Sequence, residues 1–384
     1  MSWDIVKLGD IVKMVTGKTP PTNNSAYFEG EYIWVNPSDF RNKVILKSKR
    51  TVSEKAIQEK KCTILPNGTV LLSCIGDIGK VGILKTVGTT NQQITGLIPN
   101  NRVYSDYLYY YLIHNKSKLE ALANKAVVAI LNNERLKELE VVLPPLETQK
   151  RIADILDVAD ALRQKDQELL KKYDDLAQAI FIEMFGDPVK NEKGWEKAPI
   201  GSITRVGSGG TPSRQIPEYF SGTIPWVKTT EVNGSIIYST EENITEEALA
   251  NSSCKVYPKD SIIIAMYGQG KTRGQVGILG VPSSTNQACG VISPSKRIIP
   301  EFLLQYLKMS YQDLRNLGRG GNQENLNKGM IENFLIIIPP ISLQIKFKET
   351  IENIISQVNE LKHNESSILF NSLINNAFNG QLVA

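Results

Sequence analysis

The chain repeats itself at a spacing of 192 to 195 residues, and this repeat constrains the fold more than any other feature of the sequence. The repeated segments include Gly17-Lys18-Thr19-Pro20 with Gly209-Gly210-Thr211-Pro212, Trp34-Val35 with Trp226-Val227, Thr90-Asn91-Gln92 with Thr285-Asn286-Gln287, and Pro144-Pro145 with Pro339-Pro340. The spacing grows by three residues, so the second copy is longer around 268–274. Because solenoid repeats run roughly 20–50 residues, this period predicts a duplicated domain, and a duplicated domain implies a duplicated target.

Each copy contains short β-branched runs bounded by turn residues, then a helical segment, a buried-looking strand and two prolines. Strands of this length and spacing indicate a mainly β domain with peripheral helices, and therefore the α+β class. A long helical pattern follows each Pro-Pro pair. We therefore predict a first globular domain over 1–145, a first long helix over 146–185, a second globular domain over 186–340, and a second helix with a C-terminal tail over 341–384.

Both long segments place apolar residues at alternating steps of three and four, which is the pattern of a coiled-coil seam. The predicted seam residues are Ile152, Ile155, Leu162, Leu169, Leu176, Ile351, Ile354, Val358, Leu361 and Ile368. Two such helices in one chain bury their seams most simply against each other, and the connectivity makes them antiparallel. A rod of roughly 57 Å with a domain at each end, related by a pseudo-two-fold axis, is therefore expected.

The charge is unevenly distributed along the chain. The whole chain is +4, but the segment 147–185 holds six Lys/Arg against nine Asp/Glu, and 341–378 holds three against four. The globular copies therefore carry a surplus of +8, which favours contact between these domains and a polyanion. No apolar run is long enough to span a bilayer, so we expect a cytoplasmic protein without membrane contact.

The sequence contains no coherent catalytic or metal-binding constellation. It has two histidines, and its four cysteines (Cys62, Cys74, Cys254 and Cys289) lack metal-ligand spacing, so they are expected to be buried free thiols. The stretch 265–272, AMYGQGKT, fits a loose phosphate-loop pattern. A true phosphate loop leads into a helix, whereas 273–279 has the pattern of another strand. Nucleotide binding is therefore not predicted.

The duplicated arrangement resembles the specificity subunit of type I restriction–modification systems. The resemblance rests on the G-x-T-P motif with Trp-Val downstream, on Thr/Ser-Asn-Gln, on the Pro-Pro entry to each long helix with Gln149 or Gln344, and on the tail 377–382. It implies two target recognition domains joined by helical spacers, to which two methyltransferase subunits and two restriction subunits bind. S-adenosylmethionine, ATP and magnesium would be bound by those partners, so the resemblance implies no cofactor in this chain.

Side chains that can read base edges or bind phosphates, on loops that differ between the copies, are the candidates for DNA contact. They are Lys18, Thr19, Asn23, Asn36, Ser38, Arg41, Lys80, Asn91 and Gln92 in the first copy, and Arg214, Gln215, Lys228, Thr229, Gln269, Lys271, Arg273, Asn286, Gln287, Arg319, Asn322 and Gln323 in the second. Asn91 and Asn286 occur in both copies and could instead cap a turn. Trp34 and Trp226 are expected in the core.

These observations predict a non-catalytic subunit that binds double-stranded DNA at a bipartite, asymmetric site and scaffolds adenine methyltransferase and restriction subunits. Half-sites one helical turn of about 34 Å or more apart would suit the rod. The second copy has the polar stretch 320–323 where the first has the mostly apolar 125–128, so a DNA role at that position of the first copy is doubtful. The alternative is a duplicated protein–protein scaffold that binds no nucleic acid.

Overall fold

The computed structural model describes residues 3–124, 128–268, 270–318, 325–362, 365–379 and 381–382. The chain forms two compact units, one of residues 1–165 with 365–384 and the other of residues 166–364. Each unit therefore combines a β-rich domain with parts of both long helical segments.

Among its described residues the first unit contains ten strands and six α-helices, the sixth of which lies at residues 365–378. The strands are β1 (Asp4–Lys7), β2 (Val12–Thr16), β3 (Phe28–Val35), β4 (Val44–Ile45), β5 (Thr51–Val52), β6 (Val70–Ser73), β7 (Val81–Leu84), β8 (Gly88–Thr90), β9 (Ile94–Pro99) and β10 (Glu140–Leu143). The helices are α1 (Glu54–Gln58), α2 (Ser105–His114), α3 (Lys116–Leu122), α4 (Asn133–Lys137) and the first part of α5 (Leu146–Phe185). A five-stranded sheet in the order β2-β9-β6-β7-β4 packs beside a three-stranded sheet, β5-β3-β8, and a β1-β10 pair.

The second unit repeats this architecture. Its strands are β11 (Lys197–Pro199), β12 (Val206–Ser208), β13 (Ile224–Val227), β14 (Ile236–Ile237), β15 (Asn243–Ile244), β16 (Ile262–Ala265), β17 (Val276–Leu279), β18 (Ser284–Thr285), β19 (Cys289–Ile292) and β20 (Leu335–Ile337). Its helices are α6 (Ile200–Ile203), α7 (Glu246–Ala250), α8 (Pro300–Met309), α9 (Tyr311–Leu317), α10 (Lys328–Glu332) and α11 (Ile341–Lys362), while α12 (Glu365–Phe378) belongs to the first unit. The sheets have the same strand orders, β12-β19-β16-β17-β14, β15-β13-β18 and β11-β20.

The pairing register is also shared between the copies. Trp34 pairs with Thr89 where β3 runs parallel to β8, and Trp226 pairs with Ser284 at the same place in the second unit. The predicted α+β fold, with two duplicated β-rich domains each followed by a long helix, is thus confirmed.

The central strands are apolar throughout because they face two cores. In β6, Val70 and Leu72 point into the core that includes α2, whereas Leu71 points into a second core beside β3. Successive strand residues alternate between the two faces of a sheet, so a strand covered on both faces shows a continuous apolar run instead of alternation.

The repeated sequence at the entry to each long helix is explained by one buried glutamine in each copy. The Gln149 side chain is fully buried, donates to the carbonyls of Arg102 and Pro144 at 2.9 and 2.8 Å, and accepts from the Tyr104 amide at 2.8 Å. Gln344 is equally buried and makes the corresponding three bonds in the second unit. This glutamine fixes the first turn of the long helix to the loop that precedes α2 or α8.

In each unit, parts of the two helical segments share one core with the β-rich domain. In the first unit, Ile152, Leu156 and Ala159 of α5 join the same cluster as Phe370 and Ile374 of α12.

In the second unit, Phe181 and Phe185 of α5 contact Phe347 at ring-centroid distances of 5.5 Å. Leu170, earlier in α5, lines a cavity with Val358, later in α11. The two helices therefore run antiparallel in this unit.

The predicted seam is wrong at five of its ten residues, four of them among the five predicted in α5. Ile155, Leu162, Leu169 and Leu176 are exposed, as is Ile368, with exposed fractions from 37% for Ile155 to 65% for Ile368. The residues that are buried or half-buried instead lie one position later, at Leu156, Arg163, Leu170 and Ala177. Because the helix packs on the β-rich domain as well as on the other helical segment, its buried face is rotated from that of a two-helix seam. Ile152 and Ile351 are buried, and Ile354, Val358 and Leu361 are half-buried.

Candidate nucleic-acid interface

The G-x-T-P loop of the first domain is fixed to the strand ends beside it. The amides of Gly17 and Lys18 donate to the carbonyls of Ile94 and Thr90, both at 2.9 Å. The buried Trp34 ring donates to the Lys18 carbonyl at 3.1 Å, and the Thr19 hydroxyl donates to the Gln92 side chain. A Cβ atom on Gly17 would lie 2.1 Å from a backbone oxygen, so this close approach requires glycine.

The second domain reproduces each of these contacts. The Gly210 amide donates to the Thr285 carbonyl at 2.9 Å, Trp226 donates to the Gly210 carbonyl at 3.0 Å, and the Thr211 hydroxyl donates to the Gln287 side chain. The motifs that repeat between the copies are therefore a framework that holds two loops side by side. The repeated Trp-Val pair is buried in both domains, at Trp34-Val35 and at Trp226-Val227, as expected for the core.

Asn91 and Asn36 also serve this framework. The Asn91 amide group donates to the side-chain oxygens of Asn36 and Gln93 at 2.9 and 3.0 Å, and Asn91 accepts from the Gln93 backbone at 3.0 Å. Asn91 is buried, so its contacts favour the turn-capping interpretation over base reading. The partner residue Asn286 is half-buried, and its side-chain oxygen has no hydrogen-bond partner in the described part of the chain.

The remaining candidates of the first domain are solvent-accessible. Lys18, Thr19, Asn23, Ser38, Arg41 and Gln92 are exposed, and Asn36 and Lys80 are half-buried. Lys80 forms an ion pair with Asp77 at 3.0 Å. The structure brings together Thr19 with Gln92 and Asn36 with Asn91, whereas no hydrogen bond among the described residues links Asn23, Arg41 or Lys80 to another candidate.

The candidates of the second domain differ more in their surroundings. Arg214, Gln215, Lys271 and Gln287 are exposed, and Lys228 and Thr229 are half-buried. Arg273 is buried, contrary to its expected place at an exposed loop tip, because it occupies the position of the core residue Ile78. Gln269, Arg319, Asn322 and Gln323 lie outside the described residues.

Two cations of the second domain are paired with carboxylates that the sequence analysis did not single out. Arg214 binds Glu242 through two hydrogen bonds at 3.0 and 2.7 Å, and Lys228 contacts Glu241 at 2.7 Å. The hydrogen bonds from Arg214 lower the pKa of Glu242. Both pairs are largely solvent-accessible, so they reduce the local positive charge but contribute little to stability.

An arginine covers the same aromatic pair in both domains, although it comes from different chain positions. Arg214 lies 4.0 Å from the Phe220 ring centroid and 5.1 Å from that of Trp226. In the first domain Arg50, which the sequence analysis missed, lies 4.6 and 5.0 Å from the rings of Phe28 and Trp34. Arg50 aligns with Glu242, the partner of Arg214. A guanidinium group thus lies over the corresponding aromatic pair in both domains, although the two arginines do not stand at aligned positions of the sequence.

Within the described ranges, no cluster of three or more His, Cys, Asp or Glu side chains could hold a metal ion. None of the helices in these ranges has the length and apolarity that crossing a bilayer requires. The four cysteines are buried free thiols, as predicted, and burial raises the pKa of Cys62, Cys74 and Cys289.

Two β-rich domains of one topology, each presenting a fixed pair of polar loops and each followed by a long helix, define a duplicated recognition protein. The chain matches the family described as the type I restriction modification DNA specificity domain over residues 1–172 and again over 192–369. It therefore belongs to the type I restriction–modification DNA specificity family. Because the match falls in two segments, it also reproduces the internal duplication.

Individual relatives agree with this assignment. The chain is 31% identical to the type I restriction enzyme MjaIX specificity subunit of Methanocaldococcus jannaschii, covering 93% of this chain and 87% of that one. It is 25% identical to the MjaVIII specificity subunit of the same organism, with 94% and 88% covered. The crystal structure of a type I restriction-modification S subunit from M. genitalium has the same fold, with a TM-score of 0.60 at 16% identity over 98% of this chain and 96% of that one.

Proposed function

We propose that this chain reads a bipartite, asymmetric DNA site and holds two adenine methyltransferase subunits on its helical segments, with restriction subunits joining the same complex. One observation gives this proposal its main support. The framework around the G-x-T-P loop is the same in both domains, whereas the side chains on the loops that it holds differ. Two domains of one shape with different loop side chains suit two half-sites of different sequence.

The exposed polar residues beside the framework are the proposed DNA contacts. Lys18 and Arg41 in the first domain and Lys271 in the second are exposed cations suited to phosphate or guanine, while Gln92 and Gln287 present amide groups. Asn91 is the least suitable candidate because it is buried and its side chain is already hydrogen-bonded.

Catalysis is assigned to the partner subunits. S-adenosylmethionine, ATP and magnesium would be bound by them, and the methyltransferase would take the target adenine out of the base stack. This chain would place the methyltransferase subunits at the recognised sequence, and its paired helical segments would fix the separation of the two half-sites. The family match favours this role over a protein–protein scaffold without nucleic-acid binding.

The decisive test is a map of methylated adenines in the source genome, with and without this gene. Loss of one bipartite, asymmetric motif on deletion would support the proposal and would give both half-sites. An unchanged map, together with DNA binding by the purified complex that does not weaken as salt rises, would contradict it, because phosphate contacts make affinity fall steeply with salt.

A further inference from the structure

The second domain has a longer loop at a turn that both domains share. Seven residues separate β6 from β7, whereas ten separate β16 from β17. Both loops close on a glycine in the same left-handed conformation, with φ of +86° at Gly79 and at Gly274. The three added residues therefore extend the loop without changing how it re-enters the sheet.

The longer loop is held by two side chains of α9. The Arg315 guanidinium donates through Nη1 to the carbonyls of Gly270 and Arg273 at 2.7 and 3.0 Å, and to the Tyr311 hydroxyl at 2.8 Å. The Tyr311 hydroxyl in turn donates to the Lys271 carbonyl at 2.8 Å. Three carbonyls of one loop are thus bound by two residues one helical turn apart, which fixes the path of the loop backbone.

The first domain lacks this arrangement. Lys116 and Glu120 occupy the positions of Tyr311 and Arg315, and they pair with each other at 3.7 Å. The shorter loop is held by the Ser73 hydroxyl, which donates to the Asp77 carbonyl at 2.5 Å and accepts from the Lys80 amide at 2.9 Å. It is also held by the segment 129–131, since the Gly76 amide donates to the Ala129 carbonyl at 3.0 Å. The α9 contacts therefore belong to the inserted loop and not to the common framework.

The loop and the residues that hold it are also rich in uncompensated positive charge. Lys271 is exposed, Arg273 is buried beneath the loop, and Arg315 is half-buried. None of the three forms an ion pair in the described ranges, and the Nε of Arg273 has no hydrogen-bond partner there. Cations without neighbouring carboxylates create a positive potential that a phosphate backbone would neutralise. This contrasts with Arg214 and Lys228, which glutamates already neutralise.

We propose that Lys271, on the longer loop of the second domain, contacts DNA, and that Arg315 and Tyr311 are positioning residues that fix the loop backbone at Gly270, Lys271 and Arg273. This inference rests on the proposed function, since it needs a half-site to read. It predicts that the two half-sites are read by different structures: the second domain uses a longer loop held by side chains of α9, and the first domain uses a shorter loop without such contacts.

The test uses the complete complex with its methyltransferase subunits and compares the wild type with Arg315→Lys and Tyr311→Phe. Arg315→Lys keeps the charge but shortens the side chain, so we expect its ammonium group not to reach the position of Nη1 beside the Gly270 and Arg273 carbonyls. A purely electrostatic role would leave recognition unchanged. We expect discrimination at one half-site to fall about tenfold for Arg315→Lys and about threefold for Tyr311→Phe, with the other half-site unaffected. Competition with duplexes in which one half-site is scrambled measures each half-site separately.

Glu120→Gln, at the aligned position of the first domain, is the matched control and should leave both half-sites unchanged. The inference is overturned if Arg315→Lys retains full discrimination at both half-sites. It is equally overturned if both half-sites weaken together while the melting temperature falls, because that result indicates a general structural role. A wild-type complex that distinguishes neither half-site contradicts the proposed function itself, which is a separate outcome.

Discussion

The two units differ most where the long helical segments pack on the β-rich domain. In the first unit this junction is filled by Lys43, whose ammonium group contacts Asp106 at 2.6 Å and also Asp157 of α5. It lies 4.8 Å from the ring centroid of Tyr110, and the Tyr110 hydroxyl donates to Asp157 at 2.6 Å. One lysine thus links the segment before β4, α2 and α5. Burial, followed by the Asp157 hydrogen bond, raises the pKa of Tyr110.

In the second unit the aligned residues leave a cavity of about 360 Å³. Ser235 stands in place of Lys43, and Gln305 in place of Tyr110, and both line the cavity. The carboxylate is kept as Glu301, but its cation is Lys348 of α11, at 2.9 Å. The second carboxylate oxygen of Glu301 is buried and has no hydrogen-bond partner in the part of the chain that the structure describes.

The comparison shows that one fold accepts two different junctions between domain and helix. The strand orders and the buried glutamine at the helix entry are the same in both units, so the junction is not needed to define the topology. The first junction places a lysine between two carboxylates, whereas the second leaves a cavity. We therefore expect the first junction to resist opening more strongly than the second.

Removing the lysine should give the largest effect. Lys43→Met leaves the buried Asp106 carboxylate with Lys85 alone, 3.4 Å away, and should destabilise the first unit by about 3 kcal/mol. Hydrogen exchange of the α2 amides in increasing urea reports this unit separately. Lys47→Met, an exposed residue of the same segment, is the control. Equal effects of the two substitutions would show that the junction does not depend on the ion pairs.

Losing the buried glutamine should affect the two units alike. Gln149→Ala and Gln344→Ala each remove three hydrogen bonds at a fully buried position and should each cost about 2 kcal/mol. Hydrogen exchange at the start of α5 and of α11 provides the measurement. A cost that is clearly larger in one unit would indicate that the shared motif, and not only the junction, differs between them.

Rebuilding the first junction inside the second should have a smaller, stabilising effect. Ser235→Lys combined with Gln305→Tyr places a cation and an aromatic ring in the cavity and should stabilise the second unit by about 1 kcal/mol. Ser235→Lys alone should give less than the double variant, because it lacks the aromatic face. A double variant less stable than the wild type would mean that the cavity cannot accommodate the charged arrangement.

Acid should also weaken the Lys43 junction, and this should be the smallest of the four effects. Burial alone would raise the pKa of Asp106, but hydrogen bonds and charge from Lys43, followed by Lys85, outweigh it and lower the pKa below its usual 3.8. The stabilisation is therefore fully present above the ordinary pKa and is lost as the pH falls through the lowered value. The stability difference between wild type and Lys43→Met should be constant near neutrality and narrow below about pH 4.

The sequence predicted most of the fold because the duplication supplied an internal comparison. Residues present in both copies, such as Trp34 and Trp226, were expected in the core and are buried there. The helical seam was harder, because adjacent apolar residues such as Leu169 and Leu170 fit steps of three or of four equally well. Only packing on the β-rich domain decides which of them is buried.

The candidate site was less predictable because exposure depends on tertiary contacts. Arg273 has the residue type of a DNA contact but stands where the first domain has a core isoleucine. Lys43 was missed because a lysine in a polar loop normally indicates a solvated residue. The available signal was Asp106, an acid within the otherwise apolar run DYLYYYLI, since a buried carboxylate requires a cation.

The arginine that covers the Phe–Trp pair constrains the substitutions by which the two copies could have diverged. The first copy has Thr22 with Arg50, and the second has Arg214 with Glu242 at the aligned positions. Passing from one pair to the other by single substitutions goes through an intermediate with two arginines beside one aromatic pair or through one with none. Either first step changes the number of arginines beside the aromatic pair from one, and only the second step returns it to one. A graft of either domain's loop onto the other must therefore exchange both residues together.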